Sequence, residues 1–188
     1  MVDRAVRFPC LTFRRASLPR SLWRHEPLVA DALNLRVVAS YNSLMPSRHS
    51  YRRRVAFAET DMAGIVHFAN FYRYMEEAEH AFFRSLGRSI AERQPDGTTI
   101  SWPRVSASCS YKAPAFYDDE LDIRVLVDRI GVKSLTMRYD FYRGDLLLAR
   151  GTMKIVCCRI RPDQPMESLP IPTELAANLQ EDPEARSG

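Results

Sequence analysis

The 188-residue sequence has no long apolar run, no internal repeat and only four cysteines. No apolar stretch reaches the roughly 20 residues that a membrane-spanning helix needs. The short apolar run at residues 27–30 also falls short of the core of a signal peptide. There is no glycine-rich phosphate-binding loop and no Ser-His-Asp order. We therefore expect one ordinary globular domain with additional segments and no insertion into a membrane.

The cysteines Cys10, Cys109, Cys157 and Cys158 do not have the spacing of metal ligands. Cys157 and Cys158 are adjacent in a predicted strand, where neighbouring side chains point to opposite faces. This geometry argues against a disulfide between them. Reduced thiols are the simplest account, which favours a cytoplasmic protein, and no metal is implied.

Positive charge is concentrated near the beginning of the chain. The net charge is +4, and residues 1–44 account for all of it, with seven Arg against three acidic residues. The basic isoelectric point is therefore not a property of the predicted domain. A nucleic-acid-binding domain would carry a basic patch of its own, so we expect no nucleic-acid partner.

Residues 1–50 show no sustained periodicity and carry scattered Arg, Ser and Pro. Three interpretations stay open: a disordered basic extension, a transit-like presequence, or translated upstream sequence whose true start is Met45. The last is attractive because the residues after Met45 lead directly into the first predicted strand.

The stretch of residues 57–87 organises the rest of the chain. Its first part has a turn-like centre with one carboxylate, Asp61, and one glycine, Gly64. Its second part predicts a helix over residues 68–86, and Gly87 is the stop signal. One broad apolar face of this helix comprises Phe68, Phe71, Tyr72, Met75, Ala78, Phe82, Phe83 and Leu86. We expect so apolar a helix to lie against a sheet, with the Asp61 loop leading into its N-terminus.

A carboxylate placed before a helix N-terminus has a chemical use. The unpaired N–H groups there, with the helix dipole behind them, would stabilise negative charge on a carbonyl oxygen, as an oxyanion hole does. Asp61 could then attack that carbonyl or activate a water molecule for the attack. The structural alternative is that Asp61 only closes a turn or caps the helix. Both interpretations are kept.

Two carboxylates on the predicted helix are further candidates. Glu79 projects near the middle of the apolar face, so it must find a partner or undergo an upward shift of its pKa. A structural pair with an Arg or a hydroxyl is one interpretation, and the positioning of water beside Asp61 is the other. Glu76 lies at the edge of the same face and is interpreted as a supporting or interface group.

Period-two alternation predicts strands on both sides of this helix. The predicted strands cover residues 51–58, 100–115, 121–130, 133–142 and 146–160. Joined by short turns, they indicate an antiparallel sheet with one buried face and hence an α+β fold. In the first strand, the run Arg52, Arg53 and Arg54 is interpreted as a solvated strand end, with a phosphate contact as the alternative.

The C-terminal tail, residues 161–188, starts rich in proline. It then predicts a short helix over residues 173–179 with Thr173 as N-cap. Beyond Gln180 the tail is polar, and we expect it to be frayed.

The residues that follow Asp61 resemble the signature of a known family. The run DMAGIVHFANFYRYME, residues 61–76, is similar to the pattern of the 4-hydroxybenzoyl-CoA thioesterase family of hotdog-fold proteins. That pattern is Asp-x-x-Gly-(Ile/Val)-Val followed by an aromatic-rich helix with an acidic residue. The matching positions are Asp61, Gly64, Ile65, Val66, Phe68 and Glu76. The order of predicted elements also fits, so the resemblance covers residues 51–160.

This resemblance implies a single hotdog domain, in which an antiparallel sheet of about five strands wraps around one long central helix. It implies an acyl-CoA thioesterase, which hydrolyses an acyl-CoA to a carboxylic acid and free CoA. In the family the matching Asp is the catalytic carboxylate and a helix-start amide binds the thioester oxygen. Those roles would fall to Asp61 and to the backbone at His67, Phe68 and Ala69. The substrate brings its own CoA, so no separate cofactor is expected.

Hotdog domains of this family usually pair, which implies a homodimer or homotetramer with the site at a subunit boundary. The phosphates of CoA would be met by Arg or Lys. Arg104 and Lys112 are the candidates for this contact, and an ordinary solvated side chain is the alternative for each.

Two other functions stay open. One branch of the family has His at the position of Phe68, whereas this sequence has its His one place earlier. His67 therefore does not inherit a catalytic role directly. A hotdog hydroxyacyl dehydratase would need a His and a carboxylate together, which would make His67 essential. A non-catalytic acyl-CoA or acyl-carrier binding protein would keep the pocket without needing Asp61.

Overall fold

The computed structural model describes residues 47–186, so the alternative start at Met45 and all but the last four residues of the predicted basic extension, residues 1–50, lie outside the described residues. The strands are β1 (Arg48–Arg54), β2 (Ala91–Arg93), β3 (Thr99–Ser101), β4 (Arg104–Tyr111), β5 (Glu120–Ile130), β6 (Ser134–Arg143), β7 (Leu146–Val156), β8 (Cys158–Ile160) and β9 (Glu167–Ser168). The helices are α1 (Asn70–Ser85) and α2 (Thr173–Ala177), with short 3-10 helices at Phe57–Glu59 and Pro183–Arg186. Of the helices in this part of the chain, none is long and apolar enough to cross a membrane.

Five strands form one antiparallel sheet in the order β1-β5-β6-β7-β4. Alternating residues of the inner strands β5 and β6 are fully buried and belong to the same core as α1: Leu121, Ile123, Val125, Val127, Leu135, Met137, Tyr139 and Phe141. A smaller sheet, β2-β3-β8-β9, lies to one side. The predicted α+β hotdog arrangement, a five-stranded antiparallel sheet around one long helix, is therefore confirmed.

The central helix packs closely against the sheet at Gly151 of β7. A Cβ atom at this position would lie only 2.2 Å from the sulfur of Met75, so a larger residue would require the Met75 side chain to move. The predicted stop signal, Gly87, lies just past the helix end at Ser85 and its C-cap Leu86, and it has a φ of +70°. The N–H of Arg88 then returns to the carbonyl of Phe83 at 2.9 Å, which satisfies a carbonyl of the last helical turn.

Several predicted strand boundaries were wrong. The first strand starts at Arg48 and ends at Arg54, after which the chain turns into the 3-10 helix Phe57–Glu59. The predicted strand at residues 100–115 is two strands, because the chain leaves one sheet near Pro103 and joins the other. The predicted strand at residues 146–160 divides in the same way at Cys157, whose N–H donates to the carbonyl of Lys133 at 2.8 Å.

The buried face expected for the predicted strand at residues 100–115 is missing from β4. Val105 is 58% exposed, and Ala107 and Tyr111 are exposed as well. The reason is the position of β4 at the edge of the sheet, where it pairs only with β7 in the described chain. An edge strand presents both a side-chain face and unpaired backbone groups.

The C-terminal tail packs back onto the domain instead of fraying after Gln180. The N–H of Asp182 donates to the carbonyl of Val127 at 2.7 Å, and its buried carboxylate pairs with Arg48 of β1. The short helix α2 begins at Thr173, but its N-cap is Pro172 and no side chain caps it, so the predicted Thr173 cap was wrong. The apolar side chains Ile171, Leu175 and Leu179 join the main core.

Candidate active site

Asp61 lies in a short loop whose two sides are joined by backbone hydrogen bonds. The N–H of Asp61 donates to the carbonyl of Ile65 at 2.9 Å, and the N–H of His67 donates to the carbonyl of Glu59 at 2.9 Å. Gly64 lies at the tip with a φ of +76°, a conformation that glycine adopts without strain. Its N–H donates to the Asp61 carbonyl at 3.0 Å. Gly64 therefore makes the tight turn that holds Asp61 at the surface.

The carboxylate of Asp61 is only partly engaged. Its Oδ1 accepts the N–H of Ala63 at 2.8 Å, which is the turn-closing contact that Asp often makes. Within residues 47–186 no donor reaches its Oδ2, and the side chain is exposed. One oxygen thus orients the carboxylate while the other stays available for chemistry.

The start of α1 presents one open amide. The N-cap residue Ala69 makes no side-chain cap, and its own N–H donates to Nδ1 of His67 at 3.3 Å. The N–H of His67 is already bonded to Glu59. The N–H of Phe68 has no acceptor among the described residues. Of the three backbone amides singled out from the sequence, only that of Phe68 is free to bind a ligand oxygen.

Exposed aromatic side chains lie on this loop and next to it. We call them the aromatic rim; its members are Phe57, Phe68, Tyr111, Phe116 and Tyr117. The Oη of Tyr111 donates to the carbonyl of Phe68 at 3.2 Å, and Phe116 forms an isolated bridge with Ile65. Phe68 is 60% exposed, contrary to its predicted place on the buried helix face, because the helix begins two residues later.

Glu79 lies buried in the core beneath the edge strand. Its side chain is fully buried, and its Oε2 accepts a hydrogen bond from Nη2 of Arg104 at 2.6 Å. Its Oε1 has no hydrogen-bond partner in the described chain. Burial raises the pKa of Glu79 to about 7, although Arg104 opposes this shift. Both consequences expected of a carboxylate on the apolar face, an Arg partner and a raised pKa, are present.

The remaining sequence candidates lie around the same edge. Glu76 is exposed, and it pairs with Arg104 at 3.2 Å and approaches His80 at 4.0 Å. Arg104 therefore serves two carboxylates. Lys112 is exposed just after β4, and no ion pair of the described residues engages its ammonium group. In this part of the chain no hydrogen bond or ion pair joins Glu76, Glu79 or Arg104 to the loop of Asp61.

Sequence reasoning missed Arg53, Glu59 and Asn70. Arg53 was interpreted as part of a solvated strand end, but its side chain is only 12% exposed, whereas those of Arg52 and Arg54 are 75% and 58% exposed. The available signal was the period of two in β1, which places Arg53 on the inner face beside the central helix. Asn70 opens the helix, and its Nδ2 donates to the carbonyl of Glu59 at 2.7 Å.

Comparison with known proteins places the chain among thioesterases. Residues 55–179 match the profile of the thioesterase-like superfamily. A 1,4-dihydroxy-2-naphthoyl-CoA hydrolase from Thermosynechococcus vestitus is 30% identical over 139 residues, which cover 73% of this chain and 92% of that protein. The 4-hydroxybenzoyl-CoA thioesterase from Pseudomonas sp. strain CBS-3 is 27% identical over 132 residues, covering 65% of this chain and 91% of that protein.

The fold comparison agrees with this assignment. The solved structure of a gentisyl-coenzyme A thioesterase superposes with a TM-score of 0.60 and 32% identity. The match covers 68% of this chain and 99% of that one. The family profile spans the Asp61 loop, the central helix, four of the five strands of the main sheet and the helix α2. The chain therefore belongs to the thioesterase-like superfamily, as a thioester hydrolase with the hotdog fold.

Proposed function

We propose that this protein hydrolyses an acyl-CoA to a carboxylic acid and free CoA, with Asp61 as the catalytic carboxylate. The observation that carries the proposal is the pairing of two features on one short loop. Asp61 has one oxygen fixed by Ala63 and one open oxygen, and the Phe68 N–H at the helix start has no acceptor in the described chain. A carboxylate and an open amide at a helix N-terminus are the parts that acyl transfer needs.

In the proposed reaction the thioester carbonyl oxygen accepts a hydrogen bond from the N–H of Phe68. The Asp61 carboxylate then acts in one of two ways. As a nucleophile it attacks the carbonyl carbon, expels the CoA thiolate and forms a mixed anhydride that water hydrolyses. As a general base it removes a proton from the water that attacks, and the departing thiolate takes up a proton. Both routes give the acid and free CoA.

We propose an aromatic acyl group for the substrate. The relatives named above act on hydroxylated aromatic CoA thioesters, as their names state. The aromatic rim supplies exposed rings beside the Asp61 loop, and rings pack well against an aromatic acyl group. For the phosphates of CoA, Lys112 is a better candidate than Arg104, because Arg104 already serves Glu76 and Glu79.

We propose that two copies pair through β4 and complete the site at their boundary. The exposed edge strand carries Val105, Ala107 and Tyr111 without cover from the described chain. Tyr111 also contacts the carbonyl of Phe68, so a partner seated on this strand would adjoin the Asp61 loop. A homodimer satisfies this geometry, and a homotetramer built from two such dimers satisfies it as well.

The experiment is a thiol-release assay with benzoyl-CoA, 4-hydroxybenzoyl-CoA, acetyl-CoA and palmitoyl-CoA. The full chain is compared with Asp61→Asn, and circular dichroism verifies that each protein is folded. Asp96→Asn is the matched control, because Asp96 also closes a turn, accepting the N–H of Thr98 at 3.0 Å. We expect hydrolysis of the aromatic thioesters, a loss of at least about 100-fold in kcat for Asp61→Asn, and no loss for Asp96→Asn.

Equal activity of the parent and Asp61→Asn proteins would overturn the assignment of Asp61. Absence of hydrolysis with every thioester, combined with tight binding of one of them, would favour the non-catalytic binding function instead. Hydrolysis of palmitoyl-CoA in preference to the aromatic thioesters would retain the reaction and overturn the aromatic substrate.

A further inference from the structure

Arg53 is a nearly buried cation between β1 and the central helix. Its Nη1 donates to both carboxylate oxygens of Glu77, at 2.9 and 2.8 Å. Its Nη2 donates to both oxygens of Glu59, at 2.6 and 2.8 Å. The guanidinium also lies over the ring of Tyr74, with 3.8 Å between Cζ and the ring centroid. One side chain thus joins a residue of the Asp61 loop to two residues of α1.

Glu59 connects Arg53 to the candidate site, because its side chain binds Arg53 and its backbone carbonyl binds residues at the helix start. Its carboxylate also accepts the N–H of Ala56 at 2.7 Å, which fixes the 3-10 turn before the loop. Its backbone carbonyl accepts the N–H of His67 at 2.9 Å and the Nδ2 of Asn70 at 2.7 Å. His67 and Asn70 flank the segment that presents the open Phe68 amide. A displacement of Glu59 would therefore displace that amide.

We propose that Arg53 is a positioning residue for thioester hydrolysis. Through Glu59 it holds the Asp61 loop in a fixed position relative to the start of the helix. The proposal rests on the proposed roles of Asp61 and Phe68. Arg53 lies at the far side of Glu59 from the reacting groups. Its effect is on the placement of the amide and carboxylate, which must be correct to a fraction of an ångström for efficient acyl transfer.

The chemistry of the guanidinium explains why an arginine occupies this position. Its planar fork binds two carboxylates in fixed directions, whereas the ammonium of a lysine is a single flexible charge. Without the cation, the carboxylates of Glu59 and Glu77 would face each other without a compensating positive charge and would repel. The loop carries Glu59 and the helix carries Glu77, so this repulsion would separate the loop from the helix.

The first test compares the kinetics of Arg53→Ala and Arg54→Ala in the full chain. Arg54 is the matched control, because it is the adjacent arginine and its ion pairs with Asp118 and Glu120 are exposed. With the best aromatic CoA thioester, we expect kcat of Arg53→Ala to fall by up to about 100-fold while KM changes by less than about threefold. Millimolar guanidinium should restore part of the kcat of Arg53→Ala, and Arg54→Ala should match the parent protein.

Three results would overturn the proposal: an unchanged kcat in Arg53→Ala, an equal loss in Arg54→Ala, or a loss that guanidinium does not reduce. If Arg53→Ala does not fold, Glu59→Gln replaces it, because it removes the charge that Arg53 binds and keeps the size of the side chain. A lowered kcat at constant KM in Glu59→Gln supports the proposal, and an unchanged kcat overturns it.

The second test does not depend on activity. Hydrogen–deuterium exchange of peptides covering residues 59–70 reports on the amide of His67, which Glu59 protects. We expect faster exchange there in Arg53→Ala than in the parent and Arg54→Ala proteins, and equal exchange would overturn the proposal. If the parent protein hydrolyses no thioester and the exchange still increases, the proposed function fails while the role of Arg53 in holding the loop stands.

Discussion

Arg104 of the edge strand β4 reaches the core of the domain and donates a 2.6 Å hydrogen bond to the fully buried carboxylate of Glu79. The second oxygen of Glu79 has no partner in the described chain, and burial raises the pKa of this group to about 7. The same Arg104 also pairs with the exposed Glu76. The stability of the helix–sheet contact is therefore linked to the protonation of one core carboxylate.

The first prediction concerns the pH dependence of stability. Because the folded pKa of Glu79 is raised, the folded state binds more protons than the unfolded state between the two pKa values. The stabilising contribution is complete below the unfolded pKa of 4.5 and is lost as the pH rises through about 7. We expect the free energy of unfolding to fall on the order of 3 kcal/mol across this window.

Urea denaturation at intervals between pH 4.5 and 8 measures this effect. The variant Glu79→Gln cannot titrate, so its stability profile should lack the decrease that Glu79 causes. Parallel pH profiles for the parent and Glu79→Gln proteins would contradict the raised pKa.

The second prediction separates hydrolysis from dehydration at His67. If Asp61 is the catalytic carboxylate, the role of the His67 ring is structural: it accepts the Ala69 N–H at 3.3 Å. We expect His67→Asn, which keeps a short acceptor, to retain kcat within about tenfold, since one neutral hydrogen bond contributes about 1 kcal/mol. Steady-state thiol release measures this. Complete loss of activity in His67→Asn, with the fold intact, would favour the dehydratase mechanism.

The third prediction concerns the close approach of helix and sheet. In Gly151→Ala the new Cβ would lie 2.2 Å from the Met75 sulfur, so the methionine must move within a packed core. We expect a loss of about 1–3 kcal/mol in the free energy of unfolding, measured by urea denaturation. The same substitution should cost less in a Met75→Ala background, where the space is free. An equal cost in both backgrounds would show that Met75 is not the obstacle.

The fourth prediction tests the pairing of two copies through β4. Ala107→Glu places a charge on the exposed edge strand, and a two-fold axis at this edge would bring two such charges together. We expect the mass in solution, measured by light scattering, to fall to that of a monomer, with a loss of thiol release. The control is Val132→Glu at an exposed turn, which is 78% exposed and lies outside β4. An oligomer that persists in Ala107→Glu would exclude this edge as the interface.

The general plan of the fold could be predicted because its signals are local. Alternation with a period of two identified the strands of the main sheet, and the apolar face with Gly87 identified the central helix. The motif that begins at Asp61 identified the family. The need of Glu79 for a partner or a raised pKa followed from its place on the apolar face, because a carboxylate there requires compensation, and the structure identified Arg104 as the partner.

The features that were missed depend on contacts between distant parts of the chain. The burial of Arg53 depends on Glu77, which lies on a different element, and the order of the tail depends on the pairing of Asp182 with Arg48. Exposure of β4 depends on its place at the sheet edge, which alternation does not encode. The division of two predicted strands, near Pro103 and at Cys157, likewise depends on where the chain passes from one sheet to the other.

The sequence by itself determined the fold class, the central helix, the approximate positions of the main strands and the position of the Asp61 turn. Each follows from side-chain periodicity or turn chemistry within a few residues. Only the tertiary structure decided which helix-start amide is open. The His67 N–H donates to the Glu59 carbonyl, and the Ala69 N–H donates to the His67 ring. The Phe68 N–H is therefore the one of these three that has no acceptor within the described chain. This selection depends on hydrogen bonds whose partners are defined by the folded path of the loop, and no local pattern specifies them.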